Sequence, residues 1–361
     1  MPSSSPSTPL DHARTREGSP APPPPKQRDA LLDNAKFLLI GLVVIGHAIS
    51  PLENSRSAEV LYFWIYLFHM PAFVLISGYL SKSFDASPRR LDKLLTTVAA
   101  PYLVFWFLYA LQSLWVGRDI PGSPLQALWL TWFLAALFVW RLTVPLWYRV
   151  RHPVLISIAI SCCAAVVDLG TVMALPRILS LLPFFVAGLF LEPRHFAFLQ
   201  RTWVRVCAVV TVAASAVATY LFLQPELHPT WLFWSRSLTD RDIELFPLGL
   251  PIRLFLLVTA AVLTAALLAL TPRRATWFTG LGALTMYAFL LHGFPIRFAQ
   301  YFGLYDHLSG LSGLVVVGVA AVGLTLLCMT PWVRRATSWA VEPKVGLLIL
   351  RPSKPRSPQG S

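Results

Sequence analysis

Apolar runs about twenty residues long follow one another from Leu31 to Val333, and this succession limits the chain to a membrane fold. Ten can be segmented, at roughly residues 32–51, 59–80, 94–116, 124–146, 153–170, 177–192, 203–223, 248–270, 276–298 and 310–333. The sixth is short and interrupted by proline; the others are long enough to cross a hydrocarbon core of about 30 Å as helices. Because the runs are solid rather than alternating, a transmembrane barrel is excluded. The expected fold is all-α, a polytopic membrane bundle of about ten helices. Composition agrees, since 56% of the 361 residues are hydrophobic and only 13% are charged, where a soluble domain is about a quarter charged.

The flanks differ in kind from the runs. Residues 1–28 are rich in Ser, Pro and charge ("SSSPSTPLDHARTREGSPAPPPPKQR") and bury too little apolar surface to fold, so a disordered cytoplasmic tail is expected there. Ala48-Ile49-Ser50 has the small-x-small form of a signal cleavage site, but Pro51 follows it and a long tail precedes the run, so the first span is expected to be retained. Residues 29–333 form the membrane domain. Residues 334–361 read as a short surface helix and then a basic cytoplasmic tail drawn to anionic lipid.

The net charge of +13 does not indicate nucleic acid, because the basic residues fall between the apolar runs instead of in one folded patch. With both termini in the cytoplasm, 22 Lys and Arg fall on that side. Seven, namely Arg56, Arg118, Arg177, Arg236, Arg241, Arg253 and Arg297, fall on the other, and Lys36 lies inside the first span. This is the positive-inside asymmetry of a multi-pass protein of the plasma (inner) membrane. The largest loop on the far side, residues 224–249, mixes aromatics with both charge signs and reads either as a substrate-facing lid or as an interfacial loop. Cys162, Cys163, Cys207 and Cys328 all lie in apolar runs without metal-ligand spacing, so neither disulfide nor metal is expected.

Ionisable residues inside spans are expensive and point to function. In "DNAKFLLIGLVVIGH", Lys36 and His47 are eleven residues apart, within roughly 20° on a helix and about 16 Å apart along its axis. Asp33 is an i,i+3 partner for Lys36. A basic mouth leading to a buried imidazole suits a phosphate-bearing acyl donor and a general base. The competing reading is a snorkelling lysine and a histidine satisfied in the core. In the second span, His69-Met70-Pro71 sets a ring beside a kink whose freed carbonyls favour a polar cavity, and Ser77-Gly78 permits close helix approach. In the ninth, Thr285 and His292 are seven residues apart and share a face.

The stretches "RDALLDNAKFLLIGLVVIGH", "FHMPAFVLISGYL", "LTWFLAALF", "LPFFVAGLFL" and "LTMYAFLLH" resemble, in order, those of the acyltransferase 3 family of integral membrane acyltransferases, most closely its fucose O-acetylase-like branch. The first is the most specific: the family's acidic residue, basic residue and histidine eleven positions on correspond to Asp33, Lys36 and His47. The wider family more often has arginine at the Lys36 position, and lysine is shared with the fucose-type branch; lysine offers a point charge instead of a bidentate fork. The resemblance implies transfer of an acyl group, usually acetyl, from cytoplasmic acyl-CoA to a hydroxyl of a sugar or other acceptor. It implies His47 as the catalytic histidine and a basic donor site, with Arg28, Asp33 and Lys36 as the candidate set. His69, Ser77, Trp132, Thr285 and His292 are the candidates for acceptor binding. No serine or cysteine sits in a nucleophile motif, so direct transfer is expected, without a metal. The alternative is a proton-coupled transporter using Lys36, His47, His69 and His292 as a relay, but the repeated broken helices of such proteins are not visible.

Overall fold

The computed structural model describes residues 29–52, 55–170, 172–222, 232–235, 237 and 248–346. The tail expected over residues 1–28, with Arg28, most of loop 224–249 and the tail beyond residue 346 lie outside the described residues.

The Asp29 carboxylate accepts the Leu31 N–H at 3.0 Å and caps the first helix, α1 (Ala30–Ile49). Leu31, Ala35, Leu39, Ile40, Val43, Val44 and Ile49 are each at most 2% exposed. At 100° per residue these positions spread around the helix, so α1 is enclosed by the rest of the bundle. The second span is two helices, α2 (Arg56–Tyr66) and α3 (His69–Leu80), separated at Leu67–Phe68. Pro71 carries no N–H to bond the Leu67 carbonyl, which is why the helix breaks just before His69.

The third span joins α4 (Pro88–Leu94) to α5 (Ala100–Trp115) through a π-helical turn at Leu95–Ala99. A 3₁₀ turn, Trp129–Thr131, leads into α6 (Trp132–Trp147). Then follow α7 (Pro153–Ala164), α8 (Leu175–Ser180), α9 (Leu182–Phe190), α10 (Pro193–Leu199), α11 (Thr202–Phe222) and α12 (Leu250–Leu270). A 3₁₀ turn at Thr279–Ala283 precedes α13 (Thr285–Leu291), α14 (Gly293–Tyr301), α15 (Gly310–Cys328) and the surface helix α16 (Pro331–Val341).

Seven of these helical segments, counting α2 with α3 and α4 with α5, are long and apolar enough to cross a membrane. The other three expected spans are shorter or broken. Helix α7 has twelve residues. Helix α9 turns through 103° into α10, where Pro193 opens the second helix. Helices α13 and α14 meet at His292–Gly293, and α5 repairs that break: the Tyr109 hydroxyl donates to the Leu290 carbonyl at 2.7 Å and Gln112 Nε2 to the Phe294 carbonyl at 3.1 Å. Broken backbone of this sort persists at membrane depth only where protein surrounds it.

Helices α3 and α9 cross in backbone contact. A Cβ on Gly78 would stand 2.1 Å from the Phe185 carbonyl oxygen, and one on Gly188 would stand 2.1 Å from that of Leu75. The close approach expected at Ser77-Gly78 is therefore made by Gly78.

Candidate active site

Helix α1 carries a polar cluster at each end. At its first turns Lys36 Nζ pairs with Asp33 Oδ1 at 2.8 Å, both largely shielded. Beside them Asn34, fully buried, ties the segment after α12 to α1. Its Nδ2 donates to the carbonyls of Pro272 (2.8 Å) and Arg274 (3.0 Å), and its Oδ1 accepts from the hydroxyls of Thr276 (3.1 Å) and Thr279 (2.6 Å). Gly282 allows that segment to reach the helix, since a Cβ there would lie 2.1 Å from the Asp33 carbonyl oxygen. Phe37 stacks on Phe278 with centroids 4.9 Å apart, and Trp277, edge-on to Phe37, is 75% exposed.

At the other end His47 lines a cavity of about 290 Å³ together with Tyr62, Tyr66, His69, Trp129, Trp132, Arg177 and Trp234. The three membrane histidines expected from sequence converge here. The rings of His47 and His292 are 5.4 Å apart, and Tyr66 packs between His47 and His69, 6.2 Å from the first ring and 4.6 Å from the second. His69 Nδ1 lies 2.8 Å from the Ile65 carbonyl and His292 Nδ1 lies 2.7 Å from the Ala288 carbonyl. A carbonyl only accepts, so both rings carry their proton on Nδ1 and leave Nε2 as an acceptor. His292 Nε2 is buried and has no hydrogen-bond partner among the described residues. His47 Nδ1 has one long contact, 3.5 Å from the Tyr66 hydroxyl.

Local sequence explains these placements. At the break before His69 the Ile65 carbonyl accepts the Phe68 N–H at 3.3 Å and also the His69 ring, and the break at His292 comes at Gly293. Any side chain at Gly293 would collide with Trp129, whose Cζ3 would lie 2.2 Å from a Cβ; glycine thus lets that indole press against the His47 ring at 5.4 Å between centroids. Between the two clusters, the face of α1 shared by Lys36 and His47 is filled by Ile40 and Val43, 0% and 2% exposed.

Of the residues proposed from sequence, His47, His69 and Trp132 line the cavity and His292 abuts His47. Asp33 and Lys36 meet at the opposite end of α1. Ser77 follows His69 by about two turns on α3 and Thr285 opens α13, and neither lines the cavity. Sequence reading passed over Tyr62, Tyr66, Trp129, Arg177 and Trp234. Tyr62, Tyr66 and His69 recur at helical spacing, and Arg177 sits in the apolar "LPRILSLLPFF", where it was counted as a loop charge; both were detectable signals. Among the described residues no group of three metal-ligating side chains occurs.

The acyltransferase 3 family model, described as an acyltransferase domain, matches residues 29–331. The chain is also 46% identical over 61 residues to the nodulation protein NolL of Mesorhizobium japonicum, a stretch amounting to 15% of this chain and 16% of that protein. No solved structure matches.

Proposed function

Since the chain belongs to the acyltransferase 3 family and is an acyltransferase, we propose that it moves an acetyl group from acetyl-CoA to a sugar hydroxyl held in the cavity at His47. The observation that carries the reading is a solitary imidazole, His47, facing a tryptophan-walled cavity beside two histidines of fixed tautomer. Indole faces suit the apolar C–H faces of a pyranose, and Trp129, Trp132 and Trp234 line the same 290 Å³ space.

In this reading the acceptor hydroxyl gives its proton to neutral His47 as its oxygen attacks the thioester carbonyl. The tetrahedral intermediate collapses with cleavage of the C–S bond, and His47 returns the proton to the departing CoA thiolate. Such general-base help contributes about 10²–10⁴ in rate. Lys36, backed by Asp33, is the donor-side cation and receives CoA phosphate, with Arg28 and the basic loops of that end. His69, Trp132 and His292 position the acceptor. The termini and the Lys36 end face the cytoplasm of a plasma membrane, so the thioester arm has to pass the packed face at Ile40 and Val43 to reach His47.

The test is incubation of membranes holding the wild type or His47→Ala with radiolabelled acetyl-CoA and a panel of glycans. Label on a sugar hydroxyl that His47→Ala abolishes is the expected result; label that persists in the variant refutes the assignment. Reporters fused at Lys82 and at Asp119 should lie on opposite sides of the membrane.

A further inference from the structure

Three of the seven arginines on the His47 side do not behave as loop charges. Arg177 sits 4.9 Å from the centroid of Trp132, Arg253 sits 5.0 Å from Trp234, and Arg297 sits 5.0 Å from Trp129. Each tryptophan of the cavity wall thus carries a guanidinium. Arg297 also donates to the Ser113 hydroxyl at 3.1 Å. Arg253 is 3% exposed, with Nε and Nη1 buried and unbonded.

Arg177 alone of the three lines the cavity itself. Its Nε donates to the Phe233 carbonyl at 3.1 Å, and its remaining N–H groups meet no acceptor among the described residues. The ion pairs among those residues are Lys36–Asp33, Arg56–Glu59, Arg90–Asp85 and Arg194–Glu192, so none neutralises it. Among the described residues that line the cavity there is no carboxylate. A guanidinium held at membrane depth without a counter-ion is costly, and its planar fork fits two oxygens of a carboxylate or phosphate.

The geometry points to an oxyanion site at Arg177: the acceptor brought to His47 carries a phosphate or carboxylate that completes this guanidinium while its sugar ring lies on the neighbouring indoles. The inference rests on the cavity being the acceptor site of the proposed function. Donor phosphate does not explain the arrangement, because Lys36 and the basic loops lie at the other end of α1, beyond Ile40 and Val43. The acceptor class is therefore an anionic glycan, either one linked through phosphate or one containing a uronic acid.

Equilibrium binding of radiolabelled pyrophosphate and of radiolabelled glucuronate to the purified full chain in neutral detergent tests this. No acyl donor is present, so the result is independent of whether acetyl transfer is ever observed. Saturable binding of at least one anion is expected, weakened about tenfold or more in Arg177→Gln, as loss of a charge-assisted bond requires. Arg177→Lys should recover part of it, and the dependence on Arg177 should persist in a Lys36→Gln background, where the donor-side phosphate site has been removed. Arg177→Lys also guards against a glutamine variant that fails to fold. Whichever anion binds more tightly identifies the linkage. Absence of saturable binding, unchanged affinity in Arg177→Gln, or loss of the Arg177 dependence in the Lys36→Gln background would overturn the site.

Discussion

The two ends of α1 treat polar groups in opposite ways. At the Lys36 end the ammonium has its carboxylate at 2.8 Å and Asn34 makes four hydrogen bonds, so the side chain is close to its full complement. At the His47 end, among the described residues, His292 Nε2 has no hydrogen-bond partner, His47 has a single contact at 3.5 Å, and Arg177 meets no carboxylate. The first end is complete as folded protein. Among the described residues the second leaves open a hydrogen-bond donor to an imidazole and a negative charge for a guanidinium, which the proposed acceptor would supply. Damage at the first end should therefore register in stability and donor use, and damage at the second in turnover.

The largest effect should come from His47→Ala, with transfer falling by about 10² or more while insertion is undisturbed, because removing a polar group favours a span. Radiolabel transfer normalised to membrane-extracted protein measures it. In the wild type, transfer should fall at acid pH once this ring is protonated, since only the neutral ring takes a proton. Asn34→Ala should act on stability instead, lowering it by about 1–2 kcal/mol by removing four hydrogen bonds to partly buried carbonyls and hydroxyls, read as the thermal midpoint of the detergent-solubilised chain. If it left that midpoint unchanged and reduced only turnover, the contrast between the ends would be wrong. Lys36→Ala should raise the acetyl-CoA KM about tenfold with a smaller change in kcat, and Lys36→Arg should keep part of the affinity. The smallest effect belongs to Tyr66→Phe, about threefold in kcat, because the contact it removes is long and weak; a loss as great as that of His47→Ala would make Tyr66 a principal group.

Much of this was legible along the chain because hydrophobic period and ionisable exceptions are local properties. The runs announced a helical membrane bundle, and His47, His69 and His292 were conspicuous as polar residues in apolar surroundings. That they meet is tertiary information, since the elements carrying His47 and His292 are joined by more than two hundred residues of chain. Span continuity was over-read where an apolar run is cut, as between α8 and α9 at Leu181 and at His292–Gly293, because composition reports burial but not continuity of the helix. Arg177 was missed for the opposite reason: counting it toward membrane orientation removed it from the list of residues that need a partner. The close approach expected at Ser77-Gly78 is made by Gly78, and Ser77, a candidate for acceptor binding, does not line the cavity.

The glycine crossing of α3 and α9 bears on how a bulky acceptor gets in. Sliding one helix along the other would drive a side chain into a backbone carbonyl, so the pair moves as a single lever. Helix α3 begins at His69, and α9 continues from the Arg177 helix with only Leu181 between them. His69 and Arg177 therefore ride together, while His47 and His292 belong to α1 and the α13–α14 junction. The cavity thus lies between the α3–α9 pair on one side and α1 with the α13–α14 junction on the other, with Tyr66 of α2 in long contact with His47, and admitting the proposed acceptor would part these walls while each keeps its own geometry.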